Sequence, residues 1–438
     1  MKSHKRDVDG GWAWLALVAV YGGMLTLSTV MYTSGVLYVE MLEYYREDAA
    51  KTSVIGALNT GLMCLLGPLV SICINKYSCR LTMVIGGLFL MSAYLTSAFV
   101  SNINLLILFL GVIGGVGNAL ASVPLALVLV HYFEKHRNVV LALSQVVIGI
   151  AMFIASPLAL WLLREYGLKG TLLITSGLSA HIFVCAIVCK PSSSEIDSRK
   201  RTLPLEETAL KEKSTICVCV RGLDLDAFKS LPFICFLIST TTWNFMLSVC
   251  LMHLPNYVIT KGLDESHITV MMTIFSITNT VGRFGAVFVV DNVYIDNFVV
   301  HIGCLGIAGI ITMSFASFDH LPFAEYAFAG AIGIFTGLPS ALVTPMTLSL
   351  VDFGRISKAH GLVNFFSGLG YVTGPPIAAM LLERTGSYEN SFMMSGAVLI
   401  FGSLIATVAK FLIRKPQEER ENTNCEQMEE IQTFIPAD

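Results

Sequence analysis

Arg283 stands inside a long apolar stretch with Asn279 four residues before it, a spacing that puts both side chains on one face of a helix. A guanidinium does not shed its proton, so an arginine in hydrocarbon keeps its charge, at a cost of about 2.5 to 3.5 kcal/mol on insertion scales. It must face the interior of a bundle or a watery cavity. Its planar fork of N–H donors matches a carboxylate, which suits it to hold a small organic anion. The same residue could instead form a buried ion pair that locks two helices. Gln145, Asn244 and Asn364, with Asn59, Asn118 and Trp243, also fall in apolar stretches and either line a cavity or tie helices together. His181 and His253 read as satisfied structural groups. No nucleotide loop, zinc spacing or nucleophile elbow accompanies them, so no catalytic residue, metal or cofactor is expected and the chain does not read as an enzyme.

The elements that must position these groups follow from composition. Of 438 residues 13% are charged and 54% hydrophobic, and the mean hydropathy is +0.70, which places the chain in the bilayer. Crossing about 30 Å of hydrocarbon takes roughly 20 apolar residues as a helix, and the alternation that a barrel needs is absent. Apolar blocks predict spans one to six at about 12–40, 54–75, 81–100, 103–131, 139–163 and 171–189, and seven to twelve at about 232–260, 268–290, 294–317, 322–351, 359–382 and 390–413. The domains are then an N-terminus (1–11), a first six-helix half (12–189), a linker (190–230), a second half (231–414) and a tail (415–438) that reads as disordered from Pro416. Lys and Arg number 21 on the side of the termini and linker and six in the opposite loops, which predicts a multi-pass protein with both termini cytosolic. The net charge of −3 gives no reason to expect a nucleic-acid partner; the lipid bilayer is the surrounding medium. Of the 11 cysteines none lies in a predicted outer loop, and Cys217 and Cys219 in the linker read as ordinary thiols.

The two halves repeat. A shift of 219 residues carries Gly149 to Gly368, Pro157 to Pro376, Gly167 to Gly386, Ser176-Gly177 to Ser395-Gly396 and Gln145 to Asn364. Parallel six-helix repeats of this kind build transporters of the major facilitator type, with the solute held at mid-depth between halves. Glycines in spans four and eleven, among them Gly114, Gly115, Gly368 and Gly370, serve close packing or flexing, and Pro375-Pro376 predicts a kink.

Asp9-Gly10-Gly11-Trp12-Ala13-Trp14 is similar to the acidic-Gly-Gly-Trp-Gly-Trp signature of the monocarboxylate transporter family, with Ala13 in place of a glycine. Tyr132-Phe133-Glu134-Lys135-His136-Arg137 resembles the family's second signature, whose later Ala and Gly positions read Val140 and Ala142 here. The resemblance extends over all twelve spans. It implies an all-α membrane protein with twelve transmembrane helices in two six-helix halves, carrying a small monocarboxylate or related solute by alternating access at the plasma membrane. It also implies a single-pass immunoglobulin-type escort, and it places Arg283 at the substrate-binding and coupling position. Physically, Trp12 and Trp14 suit the membrane interface. Where proton-linked members carry an Asp, a span-one Lys and, in some, a span-eleven acid, this chain has Asn279, Tyr32 and Ser367. The expected binding set is Arg283, Asn279, Tyr32, Asn244, Asn364 and Gln145. Two alternatives remain open at this point: uncoupled facilitation of aromatic amino acids, iodothyronines or creatine-like solutes, and a non-transporting scaffold or receptor.

Overall fold

The computed structural model describes residues 8–47, 49–197, 199, 230–262, 265–292, 294–318 and 321–433; Cys217 and Cys219 lie outside them. Among the described residues the chain is helical throughout, with no strand. Span 1 is Trp12–Tyr32 and Ser34–Tyr45, joined at Thr33, whose hydroxyl donates to the Val30 carbonyl at 2.7 Å. It therefore runs past the end expected at 40. Span 2, Ala49–Leu65 and Gly67–Lys76, bends by 50° ahead of Pro68, which has no amide to continue the ladder. Span 3 is Cys79–Ser97, and span 4 runs from Ile103 to Tyr132 with a π-helical turn at Ile107–Ile113. The helical stretch Arg137–Val188 is 52 residues long, more than twice what a bilayer needs. It breaks at Gly167 (φ 62°, ψ −178°) and so supplies spans 5 and 6. Spans 7 to 11 are Leu231–Thr260, Glu265–Val289, Asn297–Phe318, Ala324–Leu350 and Ile356–Thr385. Span 12 opens the helix Tyr388–Thr433, which continues through the stretch expected to be irregular, because the Glu, Gln, Lys and Arg that dominate it favour helix locally.

The repeat found in the sequence is a repeat of geometry. Gly167 and Gly386 both take positive φ, 62° and 69°, at the turn between the fifth and sixth helix of each half. Gly149 lets span 5 lie on span 8, where a Cβ would sit 2.6 Å from the Thr280 hydroxyl, and Gly368 lets span 11 lie on span 2, where a Cβ would meet that of Cys64 at 2.5 Å. These two contacts between the halves are thus copies of one another. In span 4, Gly115 faces the Asn59 backbone and Gly117 faces Leu90, so these glycines serve packing. Asn118 donates to Asn59, and Asn59 to the Leu110 carbonyl in the π turn, tying spans 2 and 4. In span 11, His253 of span 7 hydrogen-bonds the Pro375 carbonyl at 3.2 Å.

Both signature motifs meet at the end of the bundle that carries the N-terminus. The Asp9 amide donates to the Tyr132 carbonyl, and its carboxylate accepts from the Glu134 and Lys135 amides at 2.9 to 3.2 Å. Trp14 packs edge-on against Phe133, and the Trp12 indole donates to the Val188 carbonyl with the Lys190 ammonium 4.2 Å above its ring. The tryptophans are therefore joints between the N-terminus and the ends of spans 4 and 6. Glu195 follows directly, accepting from the Cys79 amide, and burial pushes its carboxyl above the ordinary range. At this same end the halves touch. Phe353 sits under the Arg137 guanidinium and edge-on to His131, Ser71 donates to the Ser357 carbonyl, and Asn138 donates to Asp291.

Candidate substrate site

Span 8 presents Arg283 one helical turn from Asn279, as the spacing requires, and the two side chains bond: Nε donates to the Asn279 Oδ1 at 2.8 Å. Asn279 is buried, and its own amide donates across to span 10, to the Gly333 carbonyl at 3.3 Å and the Thr336 hydroxyl at 3.2 Å. Span 10 comes this close because Gly337 lies against Asn279, where a Cβ would be 2.1 Å from the Asn279 carbonyl oxygen. From the other half, Gln145 of span 5 reaches the guanidinium. Nη1 donates to the Gln145 Oε1 at 2.8 Å and to its backbone carbonyl at 3.3 Å. Gly149, one turn further along span 5, permits the approach.

Among the described residues no carboxylate pairs with Arg283, so it is not half of an ion pair locking two helices. Its partners are neutral amide oxygens. Within electrostatic range lies the phenol of Tyr32 from span 1, and Tyr371 of span 11 lies within range of Tyr32. Three of the six expected residues are thus joined by hydrogen bonds, Arg283, Asn279 and Gln145, and a fourth, Tyr32, is within electrostatic range. The other two make no hydrogen bond to Arg283 among the described residues. Asn244 turns back to the carbonyl of Thr240 in its own helix at 2.8 Å, and Asn364 rests on the glycine bend of span 2, 3.1 Å from the Cβ position of Gly67. Tyr371 is the residue missed. It sits next to Gly370, whose close approach to the Thr241 backbone marks span 11 as a packed face, and an aromatic on such a face reads as packing rather than as part of a site.

A permanent cation inside a span, met by neutral amide oxygens from both halves, is the kind of group that helical carriers place between their repeats. The model of the Major Facilitator Superfamily matches residues 19–311 and 295–434. Monocarboxylate transporter 12 of Xenopus laevis is 26% identical over 424 residues, covering 94% of this chain and 91% of the relative. Monocarboxylate transporter 13 of Rattus norvegicus is 26% identical, with 90% and 88% covered, and monocarboxylate transporter 4 of Gallus gallus is 25% identical, with 97% and 88% covered. Among solved structures, a proton:xylose symporter aligns with a TM-score of 0.68 at 14% identity, covering 90% of this chain and 94% of that one. A fucose transporter in the outward conformation aligns at 0.66 and 12%, covering 90% and 99%. The chain belongs to the major facilitator superfamily and, within it, to the monocarboxylate transporter type. It is a membrane transporter of small solutes that works by the mechanism of that superfamily, not an enzyme.

Proposed function

We propose that the solute is a small organic monoanion, bound through its carboxylate by Arg283 and carried without an obligatory proton. The observation that carries this is the company of Arg283: one fixed positive charge whose hydrogen-bond partners among the described residues are all neutral oxygens of Asn279 and Gln145. A bound monoanion balances that charge, whereas the empty carrier has only dipoles to offer. Proton symport by exchange at this site needs an acid that is ionised in one state and neutral in another, and Asn279 offers none. The two phenols, Tyr32 and Tyr371, favour a second, narrower reading in which the acid carries an aromatic or hydroxylated body, as aromatic amino acids do.

With the basic residues concentrated at the end that holds both termini, that end faces the cytosol of a cell whose plasma membrane the protein spans. The contacts of Phe353, Ser71 and Asn138 join the two halves on that side. A single-pass escort protein belongs to the same proposal. Uptake of lactate, pyruvate, aromatic amino acids and creatine in oocytes tests it. Saturable uptake of an acid by the wild type, lost in Arg283→Gln at equal surface abundance, is expected. Uptake confined to creatine, or uptake of an acid that survives the substitution, overturns it.

A further inference from the structure

A guanidinium has five N–H bonds: one on Nε and two on each terminal nitrogen. In this structure Nε is committed to Asn279 and both N–H bonds of Nη1 are committed to Gln145, while Nη2 has no hydrogen-bond partner among the described residues. A carboxylate bound side-on takes one N–H from each of two neighbouring nitrogens, either Nη1 with Nη2 or Nε with Nη2. Each of these two seats is half occupied by an amide oxygen. A solute that binds through both carboxylate oxygens must therefore evict Asn279 or Gln145.

The two are not equally held. Asn279 is 4% exposed, is fixed at its other end by Gly333 and Thr336, and has its backbone packed against Gly337. Gln145 has one more rotatable bond, is half-buried, and its own Nε2 makes no hydrogen bond among the described residues. We infer that Gln145 is an internal stand-in for the solute: its side-chain carbonyl occupies the Nη1 seat in the empty carrier, and the solute's carboxylate displaces it. This rests on the anion reading above and gives Gln145 the opposite sense from a residue that binds solute. As a neutral acceptor it satisfies the buried N–H groups yet yields to a charged oxygen, which makes the stronger hydrogen bond. It also joins the two halves while the site is empty, and its release on binding changes what holds span 5 to span 8.

The test is carboxylate binding by the purified full-length protein, read as the rise of its unfolding temperature with pyruvate and, separately, phenylpyruvate. Gln145→Met keeps length and volume but offers Arg283 no side-chain acceptor, and its unfolding temperature without ligand reports whether the fold is intact. It should bind at least one of the two acids roughly fivefold or more tightly than the wild type, because the unsatisfied N–H groups are paired only when the acid is bound. Gln145→Glu should abolish binding by setting a permanent anion in the seat, and Arg283→Gln should abolish it in either background. Equal affinity in wild type and Gln145→Met overturns the inference and leaves the anion reading standing. Weaker binding in Gln145→Met overturns it in favour of a direct solute contact. Binding by neither protein overturns it together with the anion reading.

Discussion

At the scale of single residues, the site turns on a charge that cannot be switched off and neighbours that cannot switch at all. The Arg283–Asn279 pair is legible in the sequence because a helix imposes its own spacing. The Gln145 contact spans 138 positions and two halves, so only the repeat hints at it. Asn244 looks the same on paper as Gln145, but it finds a nearer acceptor in its own helix, and no pattern of residue types reveals that competition. Arg283→Lys should lose most transport at normal abundance, because an ammonium cannot span Asn279 and Gln145 and still present a fork. Normal uptake would show that charge alone suffices. Solute accumulation in proteoliposomes, acidic outside and neutral inside, should respond weakly to the gradient, and Asn279→Asp should make it respond strongly. The sign follows from the acid introduced beside Arg283, which is ionised when the site is empty and competes with the solute unless a proton removes its charge. Strong accumulation by the unmodified protein, abolished by a protonophore, would restore proton coupling.

At the scale of elements, the site depends on how near span 10 comes to span 8. Gly337→Ala places a carbon within 2.1 Å of a backbone oxygen, and since neither backbone can yield locally, the helices must part. We expect the unfolding temperature to fall by several degrees and binding to weaken as Asn279 loses Thr336. Gly177→Ala is the matched control, since a Cβ there meets nothing and alanine favours helix. An unchanged unfolding temperature in Gly337→Ala would mean that the spans are less closely packed than described. Span existence is legible from apolar blocks, and Pro68 marks the bend of span 2, but the π turn of span 4 is not legible. It arises where one helix accommodates another, as Asn59 takes up the Leu110 carbonyl, and tertiary contacts of that kind leave no local signature.

At the scale of the whole molecule, composition and the 219-residue repeat make the two-half bundle readable before any coordinates, because hydrocarbon leaves so few choices to a backbone. The helix through Thr433 was not readable as such, since polar helix-formers and disordered tails share a composition. An epitope inserted after Ser194 should stain only after the cell is permeabilised; staining of intact cells would reverse the orientation argued from the basic residues. One contact has a meaning for how such a chain is made. Asp9 is synthesised before its partners, the amides of Glu134 and Lys135, and its neighbour Trp12 closes on Val188 and Lys190 at the end of span 6. These residues can therefore be fastened only after the helices between them and their partners have been made. Asp9→Ala should accordingly be a defect of maturation. Pulse-chase labelling should show fewer molecules leaving the compartment where they were made, while each copy that does leave transports at its usual rate.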